Sequence, residues 1–475
     1  MNFPVWLLTG VAVSALVPPG AAEPALSPTA WTLHETARDN GRRLARIEAT
    51  FTPFPAGAAV ISVDPGQRFQ TMVGFGGALT ESSAWVLAQL GEAGRAEVLR
   101  RYFDPVAGIG YTLARTHINS CDFSLGSWAL AETPGDVELK DFTLAPMRRW
   151  VLPLIHEARA AAGGDTLRLM ASPWSPPAWM KTNGRMAGGG SLRPEYRAAW
   201  ARYYVRFVEA MRREEKIPVW ALTVQNEPEA VQSWESCLYT PEEERDFVRD
   251  HLGPALAAAG MADVRLLGWD HNRDGIERRA DALFGDPEAS RYLWGVALHW
   301  YISEDYAASS RVRAKYPDKP ILFTEGCWEA GAALGAWRHG EGYARQMMGD
   351  FRNGVSGWID WNIVLDARGG PNHVGNFCDA PVIVDTATGE VRYQSGFYYI
   401  GHFSRFVRVG AERIASEGAP AGLNAMAFRN PDGGVVVVVL NETDDPVTFG
   451  LAVVGESNRG CRIPAHGIQT YMIGR

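Results

Sequence analysis

Val219-Trp220-Ala221-Leu222-Thr223-Val224 is a short run of apolar and β-branched residues that stops at Gln225-Asn226-Glu227-Pro228. Such a run reads as a strand buried on both faces, and the polar residues after it stand where the strand hands over to a loop. The same change recurs along the chain. The other runs are Met72–Gly76, Leu113–Ile118, Leu167–Ala171, Val264–Trp269, Val296–Trp300, Ile321–Thr324 and Gly357–Trp361, making eight in all. Between them, Ser82–Tyr102, Ala145–Ala162, Pro194–Glu215 and Pro241–Ala259 carry apolar residues at three- and four-residue spacing, which predicts helices. Pro194 and Pro241 stand at helix starts, the second after Thr240 as N-cap and before the acidic turn Glu242-Glu243-Glu244. Eight strands alternating with helices over this span predict an α/β fold, a (β/α)8 TIM barrel.

The residues just after each run point the same way. The strand ends carry Glu81, Arg115 with Asp122, Ser172 with Trp174, Asn226-Glu227, Asp270-His271, His299 with Tyr301, Glu325, and Asp360 with Asn362. In a TIM barrel these positions converge on the C-terminal face, where the chemistry is done. The chain ends differ. Ala425–Arg429, a Pro431-Asp432-Gly433-Gly434 turn, Val435–Leu440 and Gln469–Ile473 read as strands, and so does Trp31–Phe51. Both ends together predict a β-sandwich attached to the barrel. The expected organisation is a signal peptide at 1–22, N-terminal sandwich strands at 23–65, the barrel at 66–394 and the C-terminal sandwich at 395–475. Met1–Ala22 has no charged residue and holds the apolar stretch Val5–Val17 before small residues, so an exported chain without an integral membrane segment is expected.

Composition narrows the function. The chain has 475 residues and a formal charge of -8, with no basic stretch long enough to suggest nucleic-acid binding. Its five cysteines, Cys121, Cys237, Cys327, Cys378 and Cys461, are too irregularly spaced for a disulfide framework or a zinc site, so no metal and no cofactor are expected. Tryptophan is in excess: 17 residues, against 15 tyrosines. Trp174, Trp179, Trp234, Trp300, Trp328 and Trp361 lie in or beside strand-end loops, where flat rings can wall a sugar site; Trp269 and Trp358 read as core.

Glu227 and Glu325 end the fourth and seventh runs, 98 positions apart in sequence, so they can face each other across a barrel mouth. Two facing carboxylates suggest glycoside hydrolysis, with about 5 to 5.5 Å between them in a retaining enzyme. Glu325 fits the nucleophile and Glu227 the acid/base, whose pKa an ionised Glu325 is expected to raise.

Longer motifs resemble glycoside hydrolase family 30 over nearly all of the chain after residue 22. They are Gly74-Phe75-Gly76-Gly77-Ala78, Ser120-Cys121-Asp122-Phe123-Ser124, the stretch Ala171–Thr182, Asn226-Glu227-Pro228, His299-Trp300-Tyr301, Thr324-Glu325-Gly326-Cys327, Asp360-Trp361-Asn362 and Gly369–Phe377. The resemblance implies a barrel with a β-sandwich, a retaining mechanism, and a first sugar site lined by Asp122, Trp179, Asn226, Trp361 and Asn376. It implies that Asn226 bonds the sugar 2-hydroxyl and Asp122 outer hydroxyls, while Arg115, His299 and Tyr301 support the glutamates. The expected substrate is a β-glucoside, as for the glucosylceramidases of the family. Gln232–Cys237 and Asp270–Asp274 look more like bacterial members, among which are endo-β-1,6-glucanases, so a β-glucan is the alternative. An inactive carbohydrate-binding protein is the alternative from another class.

Overall fold

The computed structural model describes residues 31–48, 51, 52, 57 and 59–474, so the predicted signal peptide lies outside the described residues. Eight parallel strands, numbered one to eight in chain order, close into a barrel: Gly74–Ala78, Leu113–Ile118, Arg168–Pro173, Val219–Thr223, Arg265–Asn272, Gly295–His299, Ile321–Glu325 and Val355–Asn362. Each agrees with its predicted run to within a few residues. Three of the five residues of strand one are glycine, and at Gly76 the neighbour is close: a Cβ there would meet the Leu113 carbonyl oxygen at 1.9 Å.

The interior is layered. Leu113, Met170, Ala221, Leu267, Ala297, Leu322 and Ile359, one from each of strands two to eight, form an apolar plug. Strand side chains alternate, so the residue two places on points the same way. That places Arg115, Ser172, Thr223, His299, Thr324 and Trp361 in the next layer towards the C-terminal face. Strand five breaks the rule. Trp269 and Asp270 both take positive φ (70° and 55°), and the pairing with strand six shifts register there. Trp269 therefore joins the outer core, and Asp270 takes the inward position three places after Leu267.

The predicted helices form, with breaks. Ser82–Tyr102 is two helices, Glu81–Ala88 and Gly91–Phe103, the second opening on Gly91 at φ 68°. Ala145–Ala162 divides at Arg149-Trp150, and Pro241–Ala259 contains a π turn over Val248–Leu252. Among the described residues, no helix is long and apolar enough to cross a membrane.

Nine further strands hydrogen-bond into one strip, in the order Arg459–Ile463, Val447–Val453, Val60–Thr71, Glu412–Glu417, Leu423–Arg429, Val435–Asn441, Gly467–Ile473, Trp31–Ala37 and Ala45–Ile47. The strip curls into a sandwich, bringing Phe449 and Tyr471 to a ring-centroid distance of 6.4 Å. Strand Val60–Thr71 runs through the predicted boundary at 65/66. Residues 395–475 open on a helix, Ser395–Ser404, wedged between the two bodies: His402 bonds Thr470 and Thr36, and Ser404 bonds the Ile109 carbonyl.

Candidate active site

Strand four ends at Thr223, and the next residues turn across the mouth. The Gln225 side chain donates to the Trp174 carbonyl (2.7 Å) and the Asn226 N–H to that of Pro173 (2.8 Å). Glu227 takes φ 47°, a left-handed conformation rare outside glycine, held by its N–H on the Asp270 carbonyl at 3.0 Å. The bulge of strand five thus supplies both an inward carboxylate and the acceptor that aims Glu227.

Glu325, the last residue of strand seven, is held at both oxygens. Arg115 donates to Oε2 at 2.5 Å and the Tyr301 hydroxyl to Oε1 at 2.9 Å. Arg115 is fully buried and also donates to Asp270 Oδ2 (2.8 Å), Asn226 Oδ1 (2.8 Å) and Ser172 (3.1 Å), with its guanidinium under the ring of Trp174. Asp270 accepts in addition from Thr223 (2.6 Å), Thr324 (2.6 Å) and His299 Nε2 (3.0 Å). The other nitrogen of His299, Nδ1, lies 3.3 Å from Glu227 Oε1, and His271 Nδ1 lies 3.7 Å from the same oxygen. Glu325, Arg115, Asp270, His299 and Glu227 form one continuous polar chain.

The chain sets the charges. Burial drives the Asp270 carboxyl up, but Arg115 and His299 outweigh it and hold it well below the carboxylate range. Burial alone depresses His299, yet the charge of Glu325 and the bonds to Asp270 and Glu227 raise it to about 9. Burial and Glu227 push Glu325 above its ordinary value, against the pull of His299 and Arg115. Glu227 feels burial too, but the His299 bond and the charges of His271 and His299 bring it below. This reverses the expectation that Glu227 is the raised partner. The cause is the two imidazoles, which the strand-end pattern did not place against it.

A pocket of about 560 Å³ opens over this chain, lined by Asp122, Trp174, Asn226, Glu227, Trp234, Tyr301, Glu325, Trp361 and Asn376 among others. Trp174 and Trp361 stack on each other at 5.3 Å and both line the pocket. Asn376 reaches in from the loop after strand eight and donates to Asp122 Oδ2 at 3.0 Å. Burial raises Asp122 to about 7 against that bond.

Several predicted residues lie elsewhere. Trp179 is outside the pocket: the prolines before it, Pro176 and Pro177, lead into a 3-10 turn, where its ring packs edge-on against Tyr196 and donates to the Ala131 carbonyl. Trp174, earlier in the same motif, lines the pocket instead. Trp300 is buried in the outer core, bonded to the Cys327 carbonyl, and Trp328 stacks on His339, so neither walls the pocket. His299 is fully buried behind Glu227 and does not face a substrate. Glu81 turns to Trp128, Asn362 bonds Thr80, and Asp360 points outward between the inward Ile359 and Trp361. Asp270 and His271, read as strand-end residues without a role, join the site, as does Gln232, which lies 3.4 Å from Glu227 Oε2. All five cysteines are buried free thiols.

Two family models match the chain: the glycosyl hydrolase family 30 TIM-barrel domain over residues 72–407 and the family 30 beta sandwich domain over 410–471. The lysosomal acid glucosylceramidase of Mus musculus is 35% identical, with 87% of this chain and 83% of the mouse chain aligned. The crystal structure of SrfJ from Salmonella typhimurium is 36% identical and superposes with a TM-score of 0.88 over 94% of this chain and 99% of that one. The endo-beta1,6-glucanase BT3312 is 29% identical, with a TM-score of 0.83 over 94% and 99%.

Proposed function

The chain belongs to glycosyl hydrolase family 30 and is a retaining glycoside hydrolase; from that membership we propose that it hydrolyses β-glucosides with Glu325 as nucleophile and Glu227 as acid/base. The polar chain from Glu325 through Arg115, Asp270 and His299 to Glu227, beside the stacked Trp174 and Trp361, carries this reading.

In the first step a Glu325 oxygen attacks the anomeric carbon. The bond to the leaving oxygen breaks, and that oxygen takes its electron pair and a proton from Glu227. The raised His299 supports this role: at neutral pH the Glu227–His299 pair holds one proton across its 3.3 Å contact, available to Glu227 as the leaving oxygen becomes basic. In the second step water attacks the same carbon, Glu227 takes its proton, and the bond to Glu325 breaks. Trp174 and Trp361 offer the flat surface for the sugar ring, Asn226 the contact to the 2-hydroxyl, and Asp122 with Asn376 the outer hydroxyls.

The rim bears on the leaving group. Ile302, at the mouth beside Tyr301, is 71% exposed. An apolar aglycone, as in a glycolipid, would cover it. Similarity to an endo-β-1,6-glucanase favours a second reading, a β-1,6-glucan substrate. Export by the Met1–Ala22 segment is part of the same proposal and rests on sequence alone.

The test uses an aryl β-glucoside and Glu325→Gln. Release of the phenol by the parent and its near-complete loss in the variant are expected; full activity in the variant contradicts the assignment. Cleavage of glucosylceramide against β-1,6-linked gluco-oligosaccharides separates the two substrates, and internal cutting of the longer oligosaccharides selects the glucan.

A further inference from the structure

Behind Glu227 stands a set of donors that the hydrolytic reaction does not need in that combination. Glu227 Oε1, His271 and His299 each offer one ligand atom, and no two of these atoms are more than 4.8 Å apart. Two of the separations are 3.3 and 3.7 Å, from Glu227 Oε1 to His299 Nδ1 and to His271 Nδ1. Ligands at about 2.0–2.1 Å from a tetrahedral zinc stand roughly 3.3 Å from one another. Two edges of the triangle therefore already have close to the required length; the third, between the histidines, is within 4.8 Å, and His271, partly exposed at the pocket wall, must turn its Nδ1 from Asn272 Nδ2, 3.2 Å away, to meet the ion.

The surroundings fit the same ion. His299 turns Nε2 to Asp270 at 3.0 Å, and Asp270 is locked by Thr223, Thr324 and Arg115. A carboxylate behind a histidine fixes the ring and makes its free nitrogen a better ligand, which is how proteins build zinc-binding histidines. The other nitrogen, Nδ1, faces Glu227 at 3.3 Å and must give up its share of the proton there to bind an ion. Glu227 and His271 line the pocket, so water from it can supply a fourth ligand.

We propose that Glu227, His271 and His299 form an inhibitory site for a borderline transition-metal cation, zinc or copper(II). The ion takes the lone pairs of two imidazoles and one carboxylate, and the proton shared by Glu227 and His299 leaves to solvent. While the ion is bound, Glu227 has no proton to give. The inhibitory consequence rests on Glu227 being the acid/base; the binding does not.

Equilibrium dialysis of the full chain against zinc chloride in a weakly chelating buffer, followed by metal analysis, tests binding without reference to activity. One zinc per chain at micromolar concentration is expected, with magnesium and calcium failing to compete at a thousandfold excess because oxygen-seeking ions gain little from imidazole. His271→Ala and Glu227→Gln should each weaken binding at least tenfold, with circular dichroism reporting that each variant is folded. In parallel, zinc should inhibit aryl β-glucoside hydrolysis in the parent over the same concentration range, reversed by EDTA. Unchanged zinc affinity in both folded variants, or displacement by magnesium, overturns the site. Zinc bound at this site with an unaffected hydrolysis rate keeps the site and counts against Glu227 as acid/base.

Discussion

Asp270 ties the two glutamates together. It accepts from Arg115, which holds Glu325, and from His299, which holds Glu227, and it is fully buried. Asp270→Asn leaves Arg115 short of one anionic partner in a dry interior, so a stability loss of about 3–5 kcal/mol is expected. kcat should fall by a factor of roughly a hundred or more, with KM less affected, since Asp270 touches no substrate. Urea unfolding and steady-state kinetics check both. Glu325, as the proposed nucleophile, dictates a pH profile. The nucleophile must be ionised, and burial with the charge of Glu227 raises its carboxyl above 4.5. Lowering the pH through that raised value protonates it, so the acid limb of kcat/KM should lie above 4.5. An acid limb below 4.5 is the opposite result. At this scale the sequence was half legible. The glutamates and most pocket residues stood at strand ends, where the apolar runs stop. Trp179 was misplaced because two tryptophans five residues apart flank a proline-rich turn, and the composition of the motif does not say which of them faces the pocket.

The bulge of strand five is the element on which the site turns, and it is held from outside the barrel. Its two left-handed residues free the Trp269 N–H from the sheet, and Glu244 Oε1 accepts it at 2.9 Å while Glu244 Oε2 takes Arg279. Glu244 comes from the helix Pro241–Phe247, which starts on a capping box between Thr240 and Glu243. Glu244→Ala removes one of the two carboxylates on the buried Arg279, with Glu229 still at 2.8 Å, and leaves the buried Trp269 N–H without its acceptor, so a loss of about 1–3 kcal/mol is expected. Because the bulge carries the Asp270 carbonyl that aims Glu227, activity should fall even where the variant remains folded. Chemical denaturation and the rate of aryl β-glucoside hydrolysis at low temperature check the pair of effects. The strands and the capped helix were readable because burial on both faces and cap chemistry leave local marks. The bulge was not: Asp takes left-handed φ more readily than most residues, but Trp269 carries no such mark and the apolar run reads as a regular strand up to it. The split helices were missed for a related reason: periodicity runs on across Gly91 and the π turn.

At the scale of the molecule, the valine run Val435–Val439 explains why barrel and sandwich are built together. Val436, Val438 and Leu440 belong to the core shared with the barrel, whereas Val435, Val437 and Val439 belong to the sandwich core. One strand seals two cores, and the helix Ser395–Ser404 is bonded to both bodies. Leu440→Ala should therefore cost about 2–5 kcal/mol. It should also lower the unfolding midpoint of barrel and sandwich alike, seen as coincident transitions by tryptophan fluorescence and far-ultraviolet dichroism; a barrel transition left unmoved contradicts the shared core. The two-body plan was legible in the sequence from the change of periodicity at the ends, but the shared core was not, because an unbroken valine run does not say what covers each face. In the proposed mechanism the whole assembly holds Glu325 against the anomeric carbon. Reaction with an activated 2-deoxy-2-fluoro-β-glucoside, which forms the glycosyl-enzyme but hydrolyses it slowly, followed by digestion and peptide mass mapping, tests this most directly. The fluoro-sugar is predicted on Glu325, with stoichiometric loss of activity. An adduct on any other residue, or full inactivation without one, contradicts the assignment.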